Sequence, residues 1–202
     1  MEHIRSQDLS ERENYFMLTS TIIPRPIAFV TSKSKENVLN GAPFSYFSIV
    51  SANPPLVSIS VQRSGGEMKD TARNIKELGE FVVHITDEEN VEKINLTSEA
   101  FEYQISEIEK VGFTPVKSKE ISVPGIKEAK VRMECIVEEV ISICDNFQVP
   151  KADLLIGRVL IYHVDPGIRK AGRVDPKELK AVSRLAGTNY GKIGEIFPLA
   201  RP

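Results

Sequence analysis

The sequence predicts a mainly β fold with peripheral helices, an antiparallel barrel of about six strands. Three observations predict it. Apolar or alternating segments follow one another closely, most connections are shorter than the crossover helix that parallel neighbours need, and no Gly-x-Gly-x-x-Gly follows any strand candidate. The chain of 202 residues suits one domain over 1–202, long enough to bury a core without disulfide or metal staples.

Ser10-Glu-Arg-Glu13 has the form of a capping box, which predicts a short helix to about residue 18. It delivers the chain to a first strand over 22–31. Asn37 and Asn40-Gly41 make 33–41 a turn, so a hairpin leads into a second strand over 42–49. Pro54-Pro55 removes two amide donors and halts pairing, after which 56–61 forms a third strand. Gly65-Gly66 supplies a corner. Ala72, Ile75 and Leu78 share one face of a helix over 71–78, with Asp70 as N-cap and Gly79 as stop, and 81–85 is the next strand. Helical spacing of Val91, Ile94, Ile105 and Ile108 predicts two short helices broken at Thr97-Ser98 and ended at Gly112. Two long strands, 129–143 and 154–164, complete the set.

With 41% hydrophobic and 27% charged residues, the composition is that of a globular chain rather than a disordered one. The 26 basic residues nearly balance the 28 acidic ones, and no Lys/Arg cluster is interleaved with aromatics, which argues against nucleic acid as partner. Residues 1–8 lack the basic-then-apolar signature of a secretory leader. No apolar run approaches the roughly 18 residues of a membrane span, so a cytoplasmic location away from the membrane is expected. Cys135 and Cys144 match no metal spacing and read as small, partly buried residues. No His/Asp/Glu spacing suggests a metal or a hydrolytic triad.

The chemistry concentrates in residues 40–74. A helix opening on Lys69-Asp70-Thr71 offers free backbone amides, a positive dipole end, an ammonium and a hydroxyl, which together suit a phosphate. Arg63, at a strand end, and Arg25, between two prolines, could add guanidinium donors, although each also fits a solvated strand-end charge. In Asn40-Gly41-Ala42-Pro43-Phe44-Ser45 the small residues would let backbone approach a flat ring, and Ser45 could bond its polar edge. Phe44, Tyr46 and Phe47 alternate sides, so one could wall the ring while the others pack. His163 could reach the edge of the ring or a nicotinamide; His84, inside an apolar strand, reads as structural.

Four segments, Pro24-Arg-Pro-Ile-Ala-Phe-Val-Thr-Ser32, Asn40 to Phe47, Lys69-Asp-Thr-Ala-Arg-Asn-Ile75 and Ser183-Arg-Leu-Ala-Gly-Thr-Asn-Tyr190, together resemble the flavin reductase-like, FMN-binding split-barrel family, which includes flavoredoxins and the reductase components of two-component monooxygenases. The resemblance covers nearly the whole chain. It implies an antiparallel FMN-binding split β-barrel, a homodimer with flavin near the interface, FMN rather than FAD as cofactor, and NADH or NADPH as electron donor. By the same resemblance Ala42, Pro43, Phe44 and Ser45 would line the ring, Ser60, Val61 and Arg63 the ribityl and phosphate region, and Lys69, Asp70 and Thr71 the phosphate. Arg184 and Tyr190 would complete the site. The implied activity is NAD(P)H:flavin oxidoreduction that supplies reduced flavin to a partner monooxygenase or other acceptor. The alternative is a flavoredoxin-like electron carrier with tightly bound FMN. A flavin carries its own redox chemistry, so no catalytic acid or base is singled out.

Overall fold

The computed structural model describes residues 1–99 and 104–200. Helix α1 (Glu11–Thr21) opens on the expected capping box: Ser10 N donates to Glu13 Oε2 at 2.8 Å and Glu13 N to Ser10 Oγ at 3.2 Å. It runs three residues past the expected end. The hydroxyls of Thr19, Ser20 and Thr21 bond back to the carbonyls of Tyr15, Phe16 and Met17 at 2.6–2.8 Å, and Arg25 reaches two carbonyls at the helix end. The segment expected as one strand over 22–31 is instead split into β1 (Arg25–Pro26) and β2 (Ala28–Lys33).

The expected second strand also divides, into β3 (Leu39–Phe44) and β4 (Phe47–Ala52), and this division shapes the molecule. With β5 (Pro55–Gln62), β6 (Glu80–Ile85), β9 (Val131–Cys144) and β10 (Pro150–Val164), these strands form one antiparallel sheet in the order β3-β2-β6-β9-β10-β5-β4. β3 and β4 occupy opposite edges of that sheet, yet only Ser45 and Tyr46 separate them in the chain. Three peptide steps span at most about 11 Å. The sheet must therefore curl until its edges nearly meet, but β3 and β4 do not pair, and the barrel stays split at that seam. The expectation of an antiparallel split barrel is borne out.

The core follows from period-2 alternation. Val57, Ile59 and Val61 of β5 point inward, to Ala28 and Val30 of β2, Phe81 and Val83 of β6, Met133 and Cys135 of β9, and Leu155 and Val159 of β10. Helix α2 (Asp70–Leu78) closes one end with Ala72 and Ile75 fully buried. Gly79 ends it at φ 77°, its N–H bonded to Ile75 O at 2.8 Å. A second cluster, Phe29, Ile94, Ile108, Phe113 and Ile126, lies between the sheet and α3 (Val91–Leu96) with α4 (Glu107–Lys110), the two short helices expected around the Thr97-Ser98 break.

Small elements complete the chain: β7 (Pro115–Val116) with β8 (Gly125–Ile126), β11 (Arg169–Lys170) with β12 (Arg173–Val174), α5 (Pro176–Leu179), β13 (Val182–Arg184) and β14 (Tyr190–Lys192). Of these, β13 matters most. It pairs with β1, Arg25 opposite Arg184, and so brings the Ser183–Tyr190 motif beside the Pro24-Arg25-Pro26 motif. No helix among the described residues is long and apolar enough to cross a membrane.

His84 is structural, as expected. Wholly buried, it donates from Nδ1 to Phe29 O at 2.9 Å and accepts at Nε2 from Ile126 N at 3.0 Å, and burial pushes its pKa down to about 3. Both cysteines are free; Cys135 is buried, which raises its thiol to about 12, and Cys144 is exposed.

Candidate functional site

Two adjoining clefts open beside the end of β3 and the Ser45-Tyr46 corner. The first, about 410 Å³, has Pro43, Phe44, Ser45 and Tyr46 along the corner, Ser60 and Gln62 from β5, Tyr15 and Thr19 from α1, and Arg184, Leu185 and Tyr190 from the C-terminal motif. The second, about 450 Å³, lies over the start of α2 and shares Pro43, Phe44, Lys69 and Ser98 with the first. Volumes of this size suit a cofactor.

Ser60 and Gln62 reach the cleft because alternate residues of β5 share a face, with Gln62 Nε2 donating to Ser60 Oγ at 3.2 Å. Val61, between them, has its side chain in the core at 0% exposure, so only its backbone is available to a ligand. Burial pushes the Tyr46 phenol up and Tyr15 adds to the rise, while Arg25 opposes it; the hydroxyl is a protonated donor at neutral pH. Gln62, Tyr15, Asn95 and Ser98 were not singled out from sequence. Gln62 carried a usable signal, its place two residues beyond Ser60.

At the second cleft α2 begins with Lys69, not Asp70, at the N-cap, and no side chain among the described residues caps the helix. Asp70 is the first helical residue and pairs with Arg73 at 2.7 Å. Lys69 borders both clefts and forms no ion pair among the described residues. A bare helix N-terminus with an adjacent ammonium is an anion site in outline. Thr71 departs from expectation: only 3% exposed, it donates its hydroxyl to Asn40 Oδ1 at 2.9 Å.

Asn40 also donates to Glu107 Oε1 at 2.9 Å, and Gly41 N donates to Glu107 Oε2 at 3.3 Å. Burial pushes the Glu107 carboxyl up, against those amide bonds. Gly41 is small for a packing reason, since a Cβ there would stand 2.7 Å from Phe29 Cζ and collide with Ile108. Asn40-Gly41 therefore ties β3 to α2 and α4, and Ala42 to Ser45 are left to face the clefts.

Three further expectations need correction. Arg63 is not free for a phosphate: its guanidinium is bidentate on the fully buried Asp153, Nε–Oδ2 2.8 Å and Nη2–Oδ1 2.6 Å, and it lines neither cleft. Arg25 borders the first cleft but donates to Thr19 O at 2.7 Å, Ile22 O at 2.5 Å and Leu185 O at 2.9 Å; its buried Nε has no partner among the described residues. It binds α1 to the C-terminal motif. His163 Nε2 donates to Glu134 Oε1 at 2.6 Å and lines neither cleft. Glu134 also takes the amides of Lys119 and Glu120, so the histidine belongs to a loop anchor.

Arg184 and Tyr190 do meet at the site. The guanidinium lies 4.6 Å from the Tyr190 ring centroid, Nη1 donates to Tyr190 Oη at 2.6 Å, and Tyr190 Oη donates to Asn95 Oδ1 at 2.8 Å. The pair fastens the C-terminal motif to α3 along one wall.

The model of the flavin reductase like domain matches residues 19–177. The chain belongs to this family. A solved structure of nitrilotriacetate monooxygenase component B from Bacillus cereus is 54% identical with TM-score 0.97, covering 98% of each chain. That of 2-nitrobenzoate 2-nitroreductase NbaA from Pseudomonas fluorescens is 32% identical with TM-score 0.89, covering 100% of this chain and 96% of that one. An uncharacterised protein of Halalkalibacterium halodurans is 50% identical over 98% of this chain and 96% of its own. The flavoredoxin of Desulfovibrio vulgaris, at 20% identity and TM-score 0.75 over 88% of this chain and 91% of its own, shares the fold. The family resemblance drawn from the four motifs holds, and the chain is a flavin-related oxidoreductase.

Proposed function

We propose that this flavin reductase-like chain is an NAD(P)H-dependent FMN oxidoreductase. The observation that carries the proposal is the pair of joined clefts, one walled by a ring-facing corner and neutral donors, the other ending at the uncapped start of α2 beside Lys69. Bound FMN would accept hydride from NADH or NADPH and pass electrons onward. The chain's own residues do the rest. Lys69 and the first α2 amides hold the phosphate. Ala42 to Ser45 present backbone and the Ser45 hydroxyl to the ring, Ser60, Gln62 and protonated Tyr46 supply hydrogen bonds, and Arg25 holds the wall.

The whole chain 1–202 acts as one such domain, in the cytoplasm, as a homodimer. The half-exposed Phe16 and Leu18 of α1, Ile49 at 80% exposure on edge strand β4, and Leu199 at 82% supply apolar surface for the second copy. The likeness to a monooxygenase component supports a monooxygenase as acceptor of reduced flavin.

The test is FMN titration by visible absorption, then NADH or NADPH addition with and without excess free FMN. Turnover of free FMN supports the reductase; bound flavin without turnover supports an electron carrier; no binding refutes both. Lys69→Ala removes one charge-assisted bond of about 1.5–3 kcal/mol, so FMN affinity should fall roughly 10- to 100-fold. Thr71 is no companion in this test, because its buried hydroxyl serves Asn40.

A further inference from the structure

Beyond the wall formed by Arg184 and Tyr190 lies a third cleft of about 350 Å³, between α3 and β14. It shares Asn95 and Tyr190 with the first cleft, so the two are neighbours across one ridge. Val91, Val182 and Gly191 make an apolar floor, and Glu88, Glu92 and Lys192 stand around it. Lys192 is committed to Glu88 at 2.7 Å, an ammonium contact that holds the Glu88 carboxyl below its usual range. Glu92 forms no ion pair among the described residues and is exposed at the rim.

We propose that this third cleft binds the adenosine end of the electron donor and selects the free ribose diol of NADH over the 2′-phosphate of NADPH. The inference rests on the reductase reading of the first cleft. A donor whose nicotinamide lies in the first cleft must cross the ridge to reach the third, and the ridge carries the Arg184 guanidinium where the pyrophosphate passes. Purine packs on the apolar floor beside Tyr190, whose ring carries the Arg184 guanidinium. A carboxylate accepts hydrogen bonds from two vicinal hydroxyls, and Glu92 is placed to do so with Asn95 beside it. Among the residues lining the cleft two carboxylates face one ammonium, which is already paired with Glu88, and Lys180 and Lys130 also act on Glu88 from outside the lining, so the unpaired negative charge is that of Glu92. A 2′-phosphate entering here meets repulsion instead of a partner.

The proposal is tested on the FMN-saturated protein by calorimetric titration with ADP-ribose and with 2′-phospho-ADP-ribose, alongside kcat/KM for NADH and NADPH. ADP-ribose should bind about tenfold more tightly, the size of the repulsion between one net charge and a phosphate dianion about 6 Å away across water. E92Q should narrow that gap and E92K should reverse it, with the kcat/KM ratio moving in step. Equal or tighter binding of 2′-phospho-ADP-ribose, no ADP-ribose binding, or a gap unchanged in E92Q would overturn it. Glu92-dependent ADP-ribose binding without FMN reduction would uphold the subsite and refute the reductase. FMN reduced equally by both donors would do the converse.

Discussion

Replacing Arg63 by alanine separates two roles for that side chain. As a phosphate ligand its loss would weaken flavin binding and leave the fold intact; as the partner of Asp153 its loss would strand a carboxylate at 0% exposure between β5 and β10. Both carboxylate oxygens are engaged by Arg63, at 2.8 and 2.6 Å, and the other contact, Ser142 Oγ at 3.4 Å, is too long to substitute. Breaking a buried pair by removing one member costs about 3–5 kcal/mol, and the lower end applies here because Arg63 keeps some solvent contact. For a chain this size about 3 kcal/mol lowers Tm by roughly 6–12 °C. Urea melts of R63A, D153A and the double variant measure it. Each single variant should lose about that much, and the double variant should lose less than their sum, because it leaves no charge stranded. R63A with unchanged stability and weakened FMN binding would refute the ion-pair reasoning and return Arg63 to the phosphate.

His84 should make stability fall on acidification. Its folded pKa of about 3 lies below the ordinary histidine value near 6.5, so the unfolded chain binds the proton first; stability is fully present above about pH 6.5 and is lost as pH falls toward 3, at up to about 1.4 kcal/mol per unit from this residue. Denaturant melts at pH 7, 6 and 5 should show a shallower decline in H84Q, and an unchanged slope would exclude the histidine as the cause. Glu107→Ala leaves Asn40 Nδ2 and Gly41 N without their acceptor and should cost about 1–3 kcal/mol, with FMN affinity falling because the start of α2 hangs on the same Asn40. Thermal melts and FMN titration check both; intact affinity would sever the network from the site.

The strands with alternating patterns were legible because a half-buried strand writes its period into the sequence: β5, β6, β9 and β10 fall within a few residues of expectation. The seam was not. Residues 42–49 read as one uninterrupted strand, and the corner at Ser45-Tyr46 exists only because the sheet's two edges must meet there. β13 and β14 were missed for a similar reason, since strands of three residues carry too little periodicity and β13 is held by pairing with β1, more than 150 residues away. The site motifs were legible as places but less so as roles, because a sequence shows a charged side chain and not its partner. Arg63 answers to Asp153, Thr71 to Asn40, and Arg25 to three carbonyls.

Those reassignments change the electrostatic character of the clefts. With Arg63 withdrawn and Arg25 spent on carbonyls, what faces the first cleft is chiefly neutral donors, together with Arg184 at the rim and Lys69 at the junction with the second. The second cleft carries Glu67, Asp70, Glu99 and Glu107 against Lys69 and Arg73, and Arg73 is held by Asp70. An anion is therefore not welcomed across the whole surface. Within the second cleft it is favoured at one point, where Lys69 and the bare amides of α2 coincide at the junction with the first. A ligand matched to this pattern is a flat, hydrogen-bonding body with a single anionic tail of fixed reach. The charges behind the clefts thus contribute to selectivity indirectly: by pairing inward they hold the walls in place, and they leave Lys69 to locate the tail.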